Sequence, residues 1–280
     1  MSKTPWITTL ILLLACGQMP STNAADGVQE LRSPAVDAAE NHDVSPPLYL
    51  MEPAPEQSGL IEHEVKPIPR HYNRNVSGAD PVRQSAPIAL LAPAPITNFD
   101  GVGNGFTGPQ GTFTVNAAPP DTNGDVGPNH YVQIVNTDFA IFNKSGTAVY
   151  GPVPVNTLWS GFGGLCQTDN DGDPIVLYDP IADRWLISQF AVTSPNPNYY
   201  QCVAISQTPD PTGAYNRYSF PYTAFPDYPK FGVWPDGYYV TYNMFTGGST
   251  FAGAKICAMD RTHMLTGAAA TQQCFNTSTS

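Results

Sequence analysis

From Ile96 onward, short runs rich in Val, Ile, Tyr, Phe and Trp are broken every few residues by clusters of Gly, Pro, Asn and Asp. That is strand-and-turn chemistry: β-branched and aromatic side chains suit a pleated surface, and the punctuating residues supply the turns. The chain carries 29 Pro and 24 Gly in 280 residues. Helix interiors tolerate neither, which excludes a helical bundle. Expected strands are Tyr131–Thr137, Phe139–Asn143, Ile175–Tyr178, Trp185–Ala191, Tyr200–Gln207, Tyr238–Met244 and Ala254–Asp260, with at most one helical turn at Asp260–Leu265. The expected fold class is all-β.

A weak internal repeat runs through the same region. Its three copies begin near Asp125-Val126-Gly127-Pro128, Ile175-Val176-Leu177-Tyr178-Asp179-Pro180 and Phe231-Gly232-Val233-Trp234-Pro235. Each reads as a strand, a Pro-containing turn, an aromatic-led strand and a further strand. Pro128 to Pro180 is 52 residues and Pro180 to Pro235 is 55. A period of about 50 in an all-β chain points to β-propeller-like repeats of four strands each. Closed propellers need about 4–8 blades, and residues 98–280 give about three. The expectation is therefore an incomplete, truncated array, with an open sandwich or a ring completed by partners as alternatives.

The middle copy, Leu177-Tyr178-Asp179-Pro180-Ile181-Ala182-Asp183-Arg184-Trp185, resembles the Tyr-Asp-Pro…Arg-Trp stretch of kelch-type blades. It implies a tight Asp-Pro turn, with Trp185 packing between blades. The wider stretch from Pro119 to Gly267 resembles a group of exported bacterial proteins. The resemblance is carried by Pro119-Pro120-Asp121-Thr122-Asn123-Gly124-Asp125 and by Asp227-Tyr228-Pro229-Lys230-Phe231-Gly232-Val233-Trp234-Pro235-Asp236-Gly237. It implies a propeller-like fold and an envelope or extracellular location, and it brings no catalytic residues.

Residues 1–25 read as an export signal, with Lys3 ahead of a ten-residue apolar run from Trp6 to Ala15 that is too short to span a bilayer. Leu13-Leu14-Ala15-Cys16 resembles a lipobox that would lipidate Cys16. Ordinary cleavage near Ala24 or Ala25 is the other open route. Residues 26–97 hold 11 Pro and no sustained periodicity, and are expected to be a disordered or semi-rigid spacer. Its role as a polyproline ligand is the alternative. All six Glu lie between Glu30 and Glu64, whereas 14 of 17 Asp follow residue 65. The net charge of −11 repels phosphate backbones and argues against nucleic acid.

With Cys16 in the signal, Cys166, Cys202, Cys257 and Cys274 remain, an even count that implies disulfides in an exported chain. Cys166–Cys202 and Cys257–Cys274 are the preferred pairs among three possible connectivities, since each falls within or next to one repeat. Two acidic loops carry the chemical signal. Asp121, Asn123, Asp125 and Asn129 place oxygen ligands at relative positions 1, 3, 5 and 9, and Asp169, Asp171 and Asp173 repeat the 1-3-5 spacing. Both resemble calcium loops of integrin-type propellers, and calcium takes 6–8 oxygens. An ordinary Asn/Asp/Gly turn is the plain alternative. Phe225 to Trp234 and Asn198-Tyr199-Tyr200 could line a sugar-binding face, with core packing the more economical role. Asp227 and Lys230 are expected to pair as ions. The region after residue 100 has Arg184, Arg217 and Arg261 but no Glu, and no G-x-S-x-G elbow or phosphate-binding Gly loop is present.

These features point to an exported β-propeller binding or adhesion module, calcium-stabilised, with a glycan or protein surface as ligand and a membrane link only through a lipid anchor. A glycan-active hydrolase or lyase using Asp residues, Asp179 and Asp227 among them, is the runner-up. A structural envelope lipoprotein is the third reading.

Overall fold

The computed structural model describes residues 33–56, 61–62, 66–68, 83, 93–193 and 198–277. The expected signal at residues 1–25 and the lipidation position Cys16 lie outside them. The chain opens with β1 (Ala35–Ala38) and β2 (Asn41–Val44), then a 3-10 turn at Leu48–Leu50. Four two-residue strands follow: β3 (Ile61–Glu62), β4 (Thr107–Gly108), β5 (Gly111–Thr112) and β6 (Ala117–Ala118). β3 pairs with β6 in parallel, and β4 with β5 as a hairpin.

Three antiparallel meanders form the body. The first is β7 (Asn123–Val126), β8 (His130–Val135), β9 (Asp138–Asn143) and β10 (Ala148–Pro154). The second is β11 (Gly172–Asp179), β12 (Arg184–Val192), β13 (Tyr199–Ser206) and β14 (Tyr215–Tyr222). The third is β15 (Phe225–Trp234), β16 (Gly237–Thr246), β17 (Thr250–Met259) and β18 (Thr271–Asn276). Within each four-strand meander, strand order follows chain order. The all-β expectation holds, with only two short helices, α1 (Gly164–Thr168) and α2 (Arg261–Thr266), among the described residues.

The segment expected to be spacer departs from that expectation over residues 35–44. β2 joins the outer edge of the second sheet beside β14, and β1 joins the outer edge of the third beside β18. This stretch contains no Pro, so it can supply the N–H groups that an exposed edge lacks. Asp43 fixes it in place. The guanidinium of Arg217, 2% exposed, donates from Nε and Nη2 to the two Asp43 oxygens at 2.8 and 2.6 Å, and from Nη1 to the carbonyls of Leu158 and Ser160.

The second sheet is buried on both faces. Trp185 and Ile187 face the first sheet, packing with Val132, Ile134, Phe139 and Trp159. Leu186, Val203 and Phe220 face the third, packing with Tyr238, Val240 and Tyr242. Its strands accordingly read as continuous apolar runs. β16, with one face in solvent, alternates buried Tyr238, Val240 and Tyr242 with exposed Tyr239 and Thr241. A third cluster, Val102, Phe113, Ala140 and Phe142, covers the far face of the first sheet.

Trp185 lies between the first two sheets. It is 1% exposed and donates from Nε1 to the Pro209 carbonyl at 3.0 Å. Gly127, just after β7, approaches so closely that a Cβ there would stand 2.8 Å from the Trp185 ring. Both expected disulfides are present. Cys166–Cys202 ties α1 to β13, and Cys257–Cys274 bridges directly paired residues of β17 and β18.

Candidate functional site

The first strands of the three sheets lie side by side, with β11 between β7 and β15. Side-chain oxygens stitch them together. Asn123 Oδ1 accepts from the Val176 amide and Asp125 Oδ2 from the Tyr178 amide, both at 2.8 Å. Asp173 Oδ2 accepts from the Tyr228 amide at 2.9 Å. The spacing of the first acidic loop therefore has a strand meaning. Side chains two apart on β7 point the same way, toward the neighbouring backbone.

Neither acidic loop gathers its residues around one point. Asn129 is exposed on the turn after β7. Asp169 accepts from the Thr168 hydroxyl. Asp171 turns to the Val192 amide at 2.7 Å, and burial, opposed by that bond, raises its carboxyl to about 6. Asp121 and Asp173 are brought together across the sheet boundary instead, and Asp227 of β15 joins them. Among the described residues no group of three or more His, Cys, Asp or Glu is arranged as a metal centre.

Asp121, Asp173 and Asp227 form an acidic mouth at the starts of the three first strands. The Asp121 carboxyl faces that of Asp173 across a small cavity. Buried Asn136, 1% exposed, forms the floor by donating from Nδ2 to Asp121 Oδ2 at 2.8 Å. Burial raises Asp173 to about 7, and the charges of Asp121 and Asp227 add to it, against the Tyr228 amide. Asp227 is also raised, by burial and then by Asp121, with Lys66 pulling the other way. The backbone is left-handed at Asp121 (φ 34°), Asp173 (φ 43°) and Tyr228 (φ 54°), a region Asp enters more readily than most residues. These positions are 52 and 55 apart, the spacing of Pro128, Pro180 and Pro235.

Two cavities adjoin the Asp121–Asp173 pair. One, of about 70 Å³, reaches Ile175 and Lys230. The other, of about 250 Å³, is walled by Phe190, Phe225, Asp227 and Tyr228 and contains Lys66. Each is rimmed by an ammonium over an aromatic ring. Lys230 Nζ lies 3.4 Å from the Tyr228 centroid and Lys66 Nζ 4.5 Å from that of Phe225. The expected Asp227–Lys230 ion pair is absent from the salt bridges among the described residues, because Lys230 turns to its aromatic neighbour.

The other polar residues singled out from sequence are committed elsewhere. Asp179 is fully buried and binds Arg261 and Tyr238. Arg184 donates to the carbonyls of its own turn. With Arg217 on Asp43, the three Arg serve three separate structural tasks. Phe225 and Tyr199 pack together in the core with Phe190, whereas Tyr228 and Trp234 are exposed. Sequence reasoning missed Lys66 and Asn136 as site residues. The mouth joins side chains from positions 66 to 227, and no local spacing records that.

The chain matches no family model, no curated protein and no solved structure.

Proposed function

We propose that this chain is an exported, propeller-like binding module of three blades that takes a positively charged group at the acidic mouth. The convergence of Asp121, Asp173 and Asp227 carries the reading. Carboxyl groups from β11, from β15 and from the segment just before β7 meet beside an aromatic-walled cavity, and once Asp173 ionises, above about 7, their three negative charges exceed the two positive charges of Lys66 and Lys230. An ammonium over an aromatic face gains from the ring quadrupole, more when partly desolvated. The equal spacing of the left-handed residues and of the three prolines supports the blade reading, and the two disulfides support an oxidising compartment. Calcium, the cation expected from the acidic loops, is the second candidate; it would have to draw the carboxylates together, since the described residues hold no preformed metal centre.

Calorimetric titration at pH 7.5 with Nα-acetyl-lysine amide, and separately with calcium chloride, tests the mouth. Saturable heat that is lost in the Asp121→Asn/Asp173→Asn/Asp227→Asn variant is expected. Heat that persists in that variant, or no heat from either titrant, refutes the reading. Export is checked by fractionation: Cys16→Ser abolishes membrane association if Cys16 is lipidated, and cytosolic protein with free thiols contradicts export altogether.

A second reading has one observation in its favour. A carboxyl raised to about 7 beside a second carboxyl is suited to general acid catalysis, which would make the mouth glycan-active. Glycan hydrolysis abolished by Asp173→Asn would establish it, and no turnover by the unaltered chain would remove it.

A further inference from the structure

The mouth already holds a cation of the chain's own. Lys66 lies 161 residues before Asp227, yet its ammonium stands 4.5 Å over the Phe225 ring and acts on the Asp227 carboxylate. Lys66 and Ile68 both line the 250 Å³ cavity, opposite Asp121 and Asp173. Between them is Pro67, and Pro69 follows. Alternating Pro favours an extended, polyproline-like backbone that loses little entropy on docking. Such a segment presents its side chains as a free peptide would.

We infer that Lys66-Pro67-Ile68 is a tethered occupant of the mouth, and that the external ligand is an extended, Pro-bearing peptide whose lysine takes the place of Lys66. This rests on the cation-binding reading above and names the ligand class. The lysine goes over Phe225 beside Asp227, and the apolar residue two positions on covers the place of Ile68. Because the internal segment is on the same chain, its effective concentration is high and it competes with any free ligand. Removing the Lys66 ammonium therefore strengthens external binding. Lys66→Arg keeps a cation in the mouth and keeps the competition.

The probe is a fluorescein-labelled peptide of sequence Val-Lys-Pro-Ile-Pro, acetylated and amidated, titrated by anisotropy against the full chain. Lys66→Ala is expected to bind it about tenfold more tightly than the unaltered chain, the effect of removing one desolvated cation–aromatic contact. Lys66→Arg is expected to bind as the unaltered chain does. Adding Asp227→Asn to Lys66→Ala is expected to remove the gain. Equal affinity in Lys66→Ala and the unaltered chain overturns the tethered occupant, and leaves the mouth standing if binding still needs Asp227. Binding by none of the four proteins overturns both. Melting curves on each variant confirm that it is folded.

Discussion

Replacing Asp179 by Ala removes the anchor that joins the second and third sheets. Its carboxylate is fully buried at the end of β11 and receives four hydrogen bonds and one further ion-pair contact. Oδ1 accepts from the amides of Ile181 and Ala182 at 2.9 and 3.0 Å. Oδ2 accepts from the Tyr238 hydroxyl at 2.9 Å and from Nε of Arg261 at 2.8 Å, and Nη2 of Arg261 lies 2.8 Å away as an ion-pair contact. Burial alone would raise the carboxyl, but the bonds from Arg261, Ala182 and Tyr238 outweigh it and the net shift is downward. Alanine leaves the guanidinium of Arg261, only 8% exposed, without its counter-ion. Breaking a buried pair from one side costs about 3–5 kcal/mol. For a domain of this size each kcal/mol moves the melting temperature by about 2–4 °C, so Asp179→Ala should melt roughly 6–20 °C lower. Urea unfolding, with midpoint and slope both measured, and calorimetry give the number. Asp179→Leu with Arg261→Met removes both charges, and should recover at least half the loss. A cost below about 1 kcal/mol for Asp179→Ala, or a double variant as unstable as the sum of its parts, would refute the buried-anchor argument.

Two further outcomes are expected. Asp138 is 1% exposed, and burial first, then the neighbouring Glu56 carboxyl, raises it to about 7; Asp173 is raised to about 7 as well. A carboxyl raised on folding contributes stability that is complete below its unfolded value near 3.8 and is lost as pH rises through about 7. The lowered Asp179 contributes above about 3.8 and loses its contribution below. Melting temperature should therefore be highest near pH 4–5 and fall toward pH 8, with a smaller fall in Asp138→Asn; a flat profile would contradict the assignment. Reduction of the two disulfides should cost roughly 3–4 kcal/mol for each loop, read as a lower urea midpoint in dithiothreitol, and unchanged midpoints would show that neither bridge constrains the unfolded chain.

Much of the second sheet was legible, because strands buried on both faces are apolar throughout: β12 and β13 match their expected spans to within a residue or two. Most outer strands were not: β7, β10, β14, β15 and β18 lie outside every expected span, whereas β11 was expected at Ile175–Tyr178. β7 is Asn-Gly-Asp-Val and β15 begins Phe-Pro-Asp-Tyr-Pro, stretches that read as turns. The polar side chains of β7 are spent on backbone amides of β11, 53 residues away, and β15 in turn gives its Tyr228 amide to Asp173 of β11. β18 hides for a similar reason: Gln272 is fully buried, with its amide oxygen held by the Tyr222 hydroxyl. The 1-3-5 spacing of Asn and Asp was real, but a strand repeats every two residues just as a calcium loop does. The disulfide pairs were readable because both close within or next to one repeat. The acidic mouth was not, because it assembles Asp173 and Asp227 from two sheets and Asp121 from the segment before β7.

The strap made by β1 and β2 has a consequence for the order in which the molecule can be completed on the ribosome. Ala35 pairs with Cys274, 239 positions later, so β1 must wait for a strand made long after it. At about 5–20 residues per second that wait is roughly 10–50 s. β2 finds its partner β14 sooner, since Asn216 pairs with Val44, and the second sheet can close while the third is still being synthesised. Until Thr271–Asn276 emerges, β1 and the growing edge of the third sheet both present unpaired backbone to other chains. The interval before that last strand arrives is when this protein is most open to pairing with a neighbour, and a factor that shields strand edges would act on it then.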